Sequence, residues 1–402
     1  MRIITRVSVE NFLSLRRLDV RLDELNVLVG PNGAGKTNVL KVFEFLGEVA
    51  RNELVPAIQG LGGFQNVLFR GSGRPSRTVK IEVSGIITKH SSLNAQDEYK
   101  LSFSKVSGLN PPSRRHDYFR RREQLVFKRY QGPGRRITLS GSKVSVGTDS
   151  PTQKSAERTL EIMGDATGLG TLRRLSDAYG ASEWNAFAEV VERLRLFEVN
   201  VEQVRTPGIA EDRPILKADA SNLAAFLKWL REFEPTAYRD ICNDVRFVLP
   251  GFEGFEFKAI GGAEEAVELF IRESNLEGDT PLARASFGTI RAIALFAMLH
   301  DPNPPKLTCL EEIDHGLHPH ALDRVVERLR QASSRTQIIL ATHSPALVNR
   351  LKPSELIIVE RDEETGGSRA ERPDEGLVAR LKKNTGYELG ELWFSGVLGG
   401  DL

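Results

Sequence analysis

The chain opens on alternation. Ile3, Thr5, Val7 and Val9 share one parity and Leu18, Val20 and Leu22 another, the period-two pattern of half-buried strands. Val27, Leu28 and Val29 are instead continuous and apolar, as a strand covered on both faces requires. A helical pattern follows to about Ala50, and Gly60, Gly62 and Gly63 mark a loop. From 77 to about 146 the period returns to two in Val79-Ile81-Val83, Tyr99-Leu101-Phe103 and Leu125-Phe127, with Gly-Pro turns between, which predicts an antiparallel meander. From about 155 to 245 the period becomes helical, clearest in Trp184-Phe187-Val190-Val191-Leu194 and Leu223-Phe226-Leu227-Leu230. Phe255-Phe257 and Val267-Leu269-Ile271 predict a hairpin. An α/β alternation then resumes: helix 287–299, strand 307–310, helix 321–333, strand 337–341, helix 345–351 and strand 356–360. The pattern shows no internal repeat and no sustained heptads.

The expected organisation is an α/β nucleotide fold assembled from residues 1–76 and 251–402. A β-meander lobe at 77–150 and a helical insertion at 151–250 separate its halves. A chain of 402 residues with 40% hydrophobic content has room for such a core. The formal net charge of +1 gives no whole-molecule attraction for nucleic acid, so any such contact rests on a local patch. Cys242 and Cys309 are the only cysteines and stand far apart, which argues against a disulfide framework or a zinc site. No run approaches the roughly 20 apolar residues of a membrane span, and the N-terminus lacks a signal-peptide core; a cytoplasmic location is expected.

Residues 30–37, Gly-Pro-Asn-Gly-Ala-Gly-Lys-Thr, follow the apolar run directly and match G-x-x-x-x-G-K-S/T. Glycines are needed because successive backbone N–H groups must turn inward on a phosphate, a curvature that a Cβ resists. Lys36 is placed to bridge the β- and γ-phosphates and Thr37 to offer its hydroxyl to Mg²⁺, with a helix N-terminus beneath the anion. Asn32, Gly33, Ala34, Gly35, Lys36, Thr37 and Asn38 are the expected ATP contacts.

A second buried strand, Leu307 to Leu310, ends in Glu311-Glu312. Adjacent residues on a strand face opposite ways, so Glu311 is assigned to the Mg²⁺ shell and Glu312 to the base that accepts a proton from the attacking water. A third strand, 337–341, delivers His343, a candidate to hold that water. Ser286 caps the apolar helix that follows it, and Gly288 permits close approach, which makes Ser286-Phe287-Gly288-Thr289 an anion site without a second lysine.

Together these elements resemble the ABC-type ATPase heads of the RecF, SMC and OLD-like group, over residues 1–37 and 281–360. The resemblance implies that 26–38 is the Walker A region, that Ser286, Gly288 and Thr289 form the signature motif acting in trans, and that Glu311-Glu312 ends Walker B. It makes Asp314 the D-loop aspartate and His343 the switch histidine, and it implies a head-to-tail homodimer closed on ATP. Phe287 is bulky where the family has a small residue, and Ile313 replaces a usual proline. The Q-loop glutamine is either Gln65 or Gln153. OLD-like nucleases carry a TOPRIM domain after the switch strand, for which the remaining residues leave no room. The resemblance therefore implies a nuclease-less ATPase that controls a separate effector, a nuclease or toxin, in defence against phage.

The densest basic stretch runs from Arg114, Arg115, Arg120, Arg121 and Arg122 to Arg135-Arg136, interleaved with aromatics, and is the expected site of any DNA contact. Three readings stand: an ATPase that engages DNA and controls an effector, an ATP-dependent scaffold with negligible hydrolysis, and a RecF-like repair ATPase.

Overall fold

The apolar stripes are buried between and around two large sheets. The computed structural model describes residues 2–72, 77–106, 119–129, 133–149, 158–164, 166–209, 211–212, 214–260, 266–274 and 276–398. One sheet is antiparallel, with strands in the spatial order Leu15–Arg21, Ile4–Phe12, Thr78–Gly85, Asp97–Lys105, Phe119–Phe127, Gly134–Ser140, Lys143–Asp149 and Arg158–Glu161. The meander thus continues the N-terminal hairpin edge to edge, with Val7 opposite Val83 and Ile81 opposite Leu101. One face, bearing Val79, Ile81, Tyr99 and Leu101, is buried, and the other carries ion pairs such as Lys80–Glu10 and Lys100–Glu82.

The other sheet runs Arg195–Phe197, Leu307–Glu311, Gln337–Thr342, Leu25–Val29, Leu356–Arg361 and Ser368–Glu371. Its first five strands are parallel and the last returns antiparallel. Every residue of Leu25–Val29 and Gln337–Thr342 is buried, as helices on both faces demand. The helix Lys36–Asn52 lies between the two sheets, where Val39, Phe43 and Leu46 join one core with Val7, Phe103, Trp184 and Ile339. On the opposite face of the parallel sheet, Leu223–Phe233, Pro235–Val248, Phe287–Leu299 and Pro319–Ser333 build a second core.

The segment 155–245 differs from its uniformly helical expectation. It contains Arg195–Phe197, an edge strand of the parallel sheet whose three residues are too few to register a period. Likewise the helix expected over 345–351 is the single turn Pro345–Val348.

Two buried polar groups tie the layers. The fully buried Gln337 amide accepts from the Ile4 N–H at 2.8 Å and donates to the Ile4 and Asp23 carbonyls at 2.6 and 2.7 Å, which fixes the first strand to the parallel sheet. Asp244, on Pro235–Val248, pairs with His300 Nε2 at 2.6 Å and accepts from Arg328 Nε at 2.7 Å and Nη2 at 3.0 Å, joining three helices. Burial pushes the Asp244 carboxyl up, but the bonds from His300 and Arg328 outweigh it and hold it below the usual range.

Candidate functional site

Three neighbouring parallel strands, Leu307–Glu311, Gln337–Thr342 and Leu25–Val29, end at one edge of the sheet, so the residues that follow them are brought together. The edge beyond the carboxyl ends of parallel strands is where open α/β sheets bind ligands. The turn from Gly30 runs with Gly33 at φ 79° and Gly35 at φ 105°, left-handed conformations that favour glycine. A Cβ on Gly35 would stand 2.2 Å from Ser368 Oγ and 2.6 Å from Ser14 Oγ, so the loop is braced tightly from behind. Those serines bond one another at 2.7 Å, and Asn38 Nδ2 donates to Ser14 Oγ at 2.8 Å. Asn32 and Gly33 are exposed at the loop tip, while Ala34 and Lys36 are buried.

Lys36 Nζ donates to the carbonyls of Gly30 at 2.7 Å and Pro31 at 3.0 Å. Burial lowers its pKa, and the carboxylates of Glu312 and Glu311 oppose that shift, so the cation sits in their field. Thr37 Oγ1 donates to Glu311 Oε1. A hydroxyl and a carboxylate are hard oxygen donors that suit Mg²⁺, which usually takes only one or two protein oxygens and fills its shell from phosphate and water. Among the described residues no group of three or more His, Cys, Asp or Glu is arranged to hold a metal by itself.

Glu312 leaves the strand with φ 47°, a left-handed backbone in a non-glycine residue, while its N–H donates to the Ala341 carbonyl at 2.9 Å. That turn points its carboxylate at His343, with Glu312 Oε1 3.3 Å from His343 Nδ1 and each side chain 46% exposed. Asp314 accepts from Thr342 Oγ1 at 2.8 Å, which joins the carboxylate loop to the tip of the histidine strand.

Ser286 and Thr289 stand at the start of the helix Phe287–Leu299. Ser286 Oγ accepts from the Thr289 N–H at 3.1 Å, and with Gly288 these residues line a crevice shared with Gly316, Leu317 and His318. Gly288 approaches so closely that a Cβ there would stand 2.3 Å from the Gly316 carbonyl oxygen.

The nucleic-acid expectation needs correction at Arg121. Alternation along Phe119–Phe127 puts Arg121 on the inner face with Leu125, and its guanidinium, 1% exposed, pairs with the fully buried Glu123 at 2.8 Å. Glu123 also accepts from the Gly168 N–H and from Tyr99 Oη, so Arg121 is locked into a core network. Arg120 and Arg122 are exposed on the outer face. Arg114, Arg115 and Gln153 lie outside the described residues, and Gln65 is exposed on the short helix Phe64–Val67.

Sequence reasoning missed Ser14 and Ser368, which brace the phosphate loop, and Arg291, whose Nη1 donates to the Glu312 carbonyl at 3.2 Å and the His315 carbonyl at 3.3 Å. None lies in a recognisable motif. Only its place one turn into the helix capped by Ser286 singles out Arg291.

The same architecture recurs in solved structures. A SMC head bound to the C-terminal winged-helix domain of ScpA superposes with a TM-score of 0.53 at 13% identity, covering 92% of this chain and 97% of that one. The Pyrococcus furiosus SMC head with an extended coiled coil, bound to the C-terminal domain of ScpA, gives 0.52 at 12% identity, covering 96% of this chain and 100% of that one. At such identities the likeness establishes the SMC/ABC-type ATPase head fold. No curated protein shows significant similarity to the chain. The AAA_21 family model, described as "AAA domain, putative AbiEii toxin, Type IV TA system", matches residues 25–349. That span runs from the phosphate-loop strand past His343, and the chain belongs to this family of P-loop ATPase domains, whose members have the capacity to bind and hydrolyse ATP.

Proposed function

We propose that the chain is an ATPase whose head closes on ATP against a second copy, engages DNA, and controls a separate effector protein, a toxin or nuclease, in a defence system. The observation that carries the catalytic part is the pairing at the sheet edge: Thr37 on Glu311, Glu312 facing His343, and Lys36 held between backbone carbonyls in the field of both carboxylates. The glycine turn receives the triphosphate on its N–H groups, and Lys36 turns from the Gly30 and Pro31 carbonyls to the β- and γ-phosphates. Thr37 and Glu311 are the residues that would hold Mg²⁺, which when bound neutralises charge developing on the phosphate oxygens. Glu312 takes the proton of the attacking water, and His343 holds the carboxylate and that water in line.

The dimeric part rests on the capped helix N-terminus at Ser286. Ser286 caps the helix Phe287–Leu299, and an N-terminus of this kind would receive the nucleotide of a second copy. The effector reading rests on the family description, and DNA contact rests on exposed Arg120 and Arg122. Among the described residues no helix is long and apolar enough to cross a membrane.

Equilibrium binding of MgATP to the Lys36→Ala chain tests the cradle. Loss of the cation at the β- and γ-phosphates is expected to weaken affinity at least about 100-fold. Affinity within about threefold of the parent, well under the 1.4 kcal/mol that a factor of ten represents, refutes the assignment.

A further inference from the structure

At the N-terminal ends of the parallel strands, opposite the edge that carries the phosphate loop, a cleft of about 950 Å³ opens beside the edge strand. Arg195 begins the strand Arg195–Phe197, and Asp301, Pro304 and Pro305 stand just before Leu307–Glu311, so both strands bring their entering ends to it. Phe226 and Trp229, one turn apart on Leu223–Phe233, line it with stacked rings whose centroids are 6.5 Å apart. Ile215, 71% exposed, adds an apolar side chain at the wall. Walls of this kind receive the apolar body of a ligand, and a few placed polar groups orient it.

The polar groups here are an arginine and its surroundings. The Arg195 and Asp301 side chains are only 9% and 5% exposed, and Arg195 Nη1 donates to Asp301 Oδ2 at 3.2 Å. Asp301 Oδ1 accepts from the Asn303 N–H at 2.9 Å, which fixes the carboxylate. Arg195 Nε and Nη2 make no bond among the described residues. Those two nitrogens form one edge of the planar guanidinium, a fork that matches the two oxygens of a carboxylate. Burial lowers the Arg195 pKa and Asp301 opposes that shift, so a further anion favours the cation. Arg193 and Lys217, exposed on the lining, form no ion pair among the described residues. With Glu211 also on the lining, three cations meet two carboxylates, a balance that suits one added negative charge rather than two. We infer that the cleft binds a small molecule with a flat apolar body and a single carboxylate, the carboxylate on the Nε–Nη2 edge of Arg195 and the body against Trp229 and Phe226. This site stands apart from the nucleotide and does not rest on the ATPase reading.

The test is calorimetric titration of the full chain with naphthalene carboxylate and with naphthylmethanol, its neutral counterpart, in the presence and absence of MgATP. The acid is expected to bind at least about 10-fold more tightly than the alcohol. Arg195→Lys keeps the charge beside Asp301 but loses the fork, and should weaken the acid about 10-fold while leaving the alcohol unchanged. Trp229→Ala should weaken acid and alcohol alike, by about 10-fold, because it removes the apolar wall. Trp229 is partly exposed, so this variant should fold even if an Arg195 variant does not, and the comparison of acid with alcohol needs no variant at all. MgATP should leave the acid's affinity unchanged within about threefold. No binding of the acid, equal affinity for acid and alcohol, or parental affinity for both in Trp229→Ala overturns the inference. So does an Arg195→Lys chain that binds the acid as the parent does or loses both ligands equally. Displacement of the acid by MgATP moves its binding to the phosphate loop and overturns it as well.

Discussion

Replacing Glu312 by Gln removes one negative charge and keeps the shape, and the structure says where the cost falls. The Glu312–His343 pair is 3.3 Å apart with both side chains 46% exposed. A polar contact that open to solvent contributes at most about 1 kcal/mol, so the thermal midpoint should move by less than about 4 °C. Losing a general base costs about 10²–10⁴ in rate, or about 3–5 kcal/mol of barrier, severalfold more than the stability term. Catalysis should therefore collapse while the fold persists. His343→Ala should slow turnover by a smaller factor, because the carboxylate remains and only its orientation is lost. Under the proposed roles both groups act on one water, so the double variant should be no slower than Glu312→Gln alone, within about threefold. Phosphate release under saturating ATP measures all four corners of the cycle. Light scattering of Glu312→Gln with MgATP should report a mass of two chains, since nucleotide is held and not consumed. Turnover above a tenth of the parental rate in Glu312→Gln, or costs that multiply in the double variant, would refute the assignment of base and partner. A single-chain mass with ATP bound would sink the closed dimer.

Three further outcomes separate structural from functional charge. Arg121→Met should destabilise the fold by about 3–5 kcal/mol, because it leaves the buried Glu123 without its cation; a denaturant midpoint equal to the parent's would contradict the core placement. If nucleic acid binds, Arg120→Ala with Arg122→Ala should reduce the salt slope by about 2, and an unchanged slope moves the contact elsewhere. Asp244→Asn should cost about 3–5 kcal/mol at neutral pH through the stranded donors of Arg328 and His300. The folded-state pKa of Asp244 is depressed, so its contribution is complete above the unfolded value of about 3.9 and is lost as pH falls through the lower folded value. Unfolding free energies of parent and variant should thus differ by a constant amount above about pH 5 and converge in stronger acid; a gap that persists at the acid end would show that the pair is not the source.

What the chain disclosed in advance was whatever is contiguous. The phosphate loop, the strand into Glu311 and the helix after Ser286 each announce themselves in a run of residues, because burial on both faces and a helix cap are local requirements. The same logic, pressed further, would have turned Arg121 inward: it shares parity with Leu125 and Phe127, and an inner-face parity outweighs a charge when Glu123 stands two residues on. The strand Arg195–Phe197 was illegible because three residues carry no period. Arg291, Ser14 and Ser368 were illegible for another reason. Their partners are carbonyls and hydroxyls remote in sequence, and no pattern along a chain encodes a bond across it.

The order of the parallel sheet has a consequence for how the molecule comes into being. Leu25–Val29 lies between Gln337–Thr342 and Leu356–Arg361, and Asn26 donates to the Ile338 carbonyl across 312 positions of sequence. A growing polypeptide has no lateral neighbours for that strand until residues 337–361 have left the ribosome, whereas the antiparallel hairpins complete themselves from nearby residues. The phosphate-loop strand is accordingly expected to find its place only after both of those neighbours have been made.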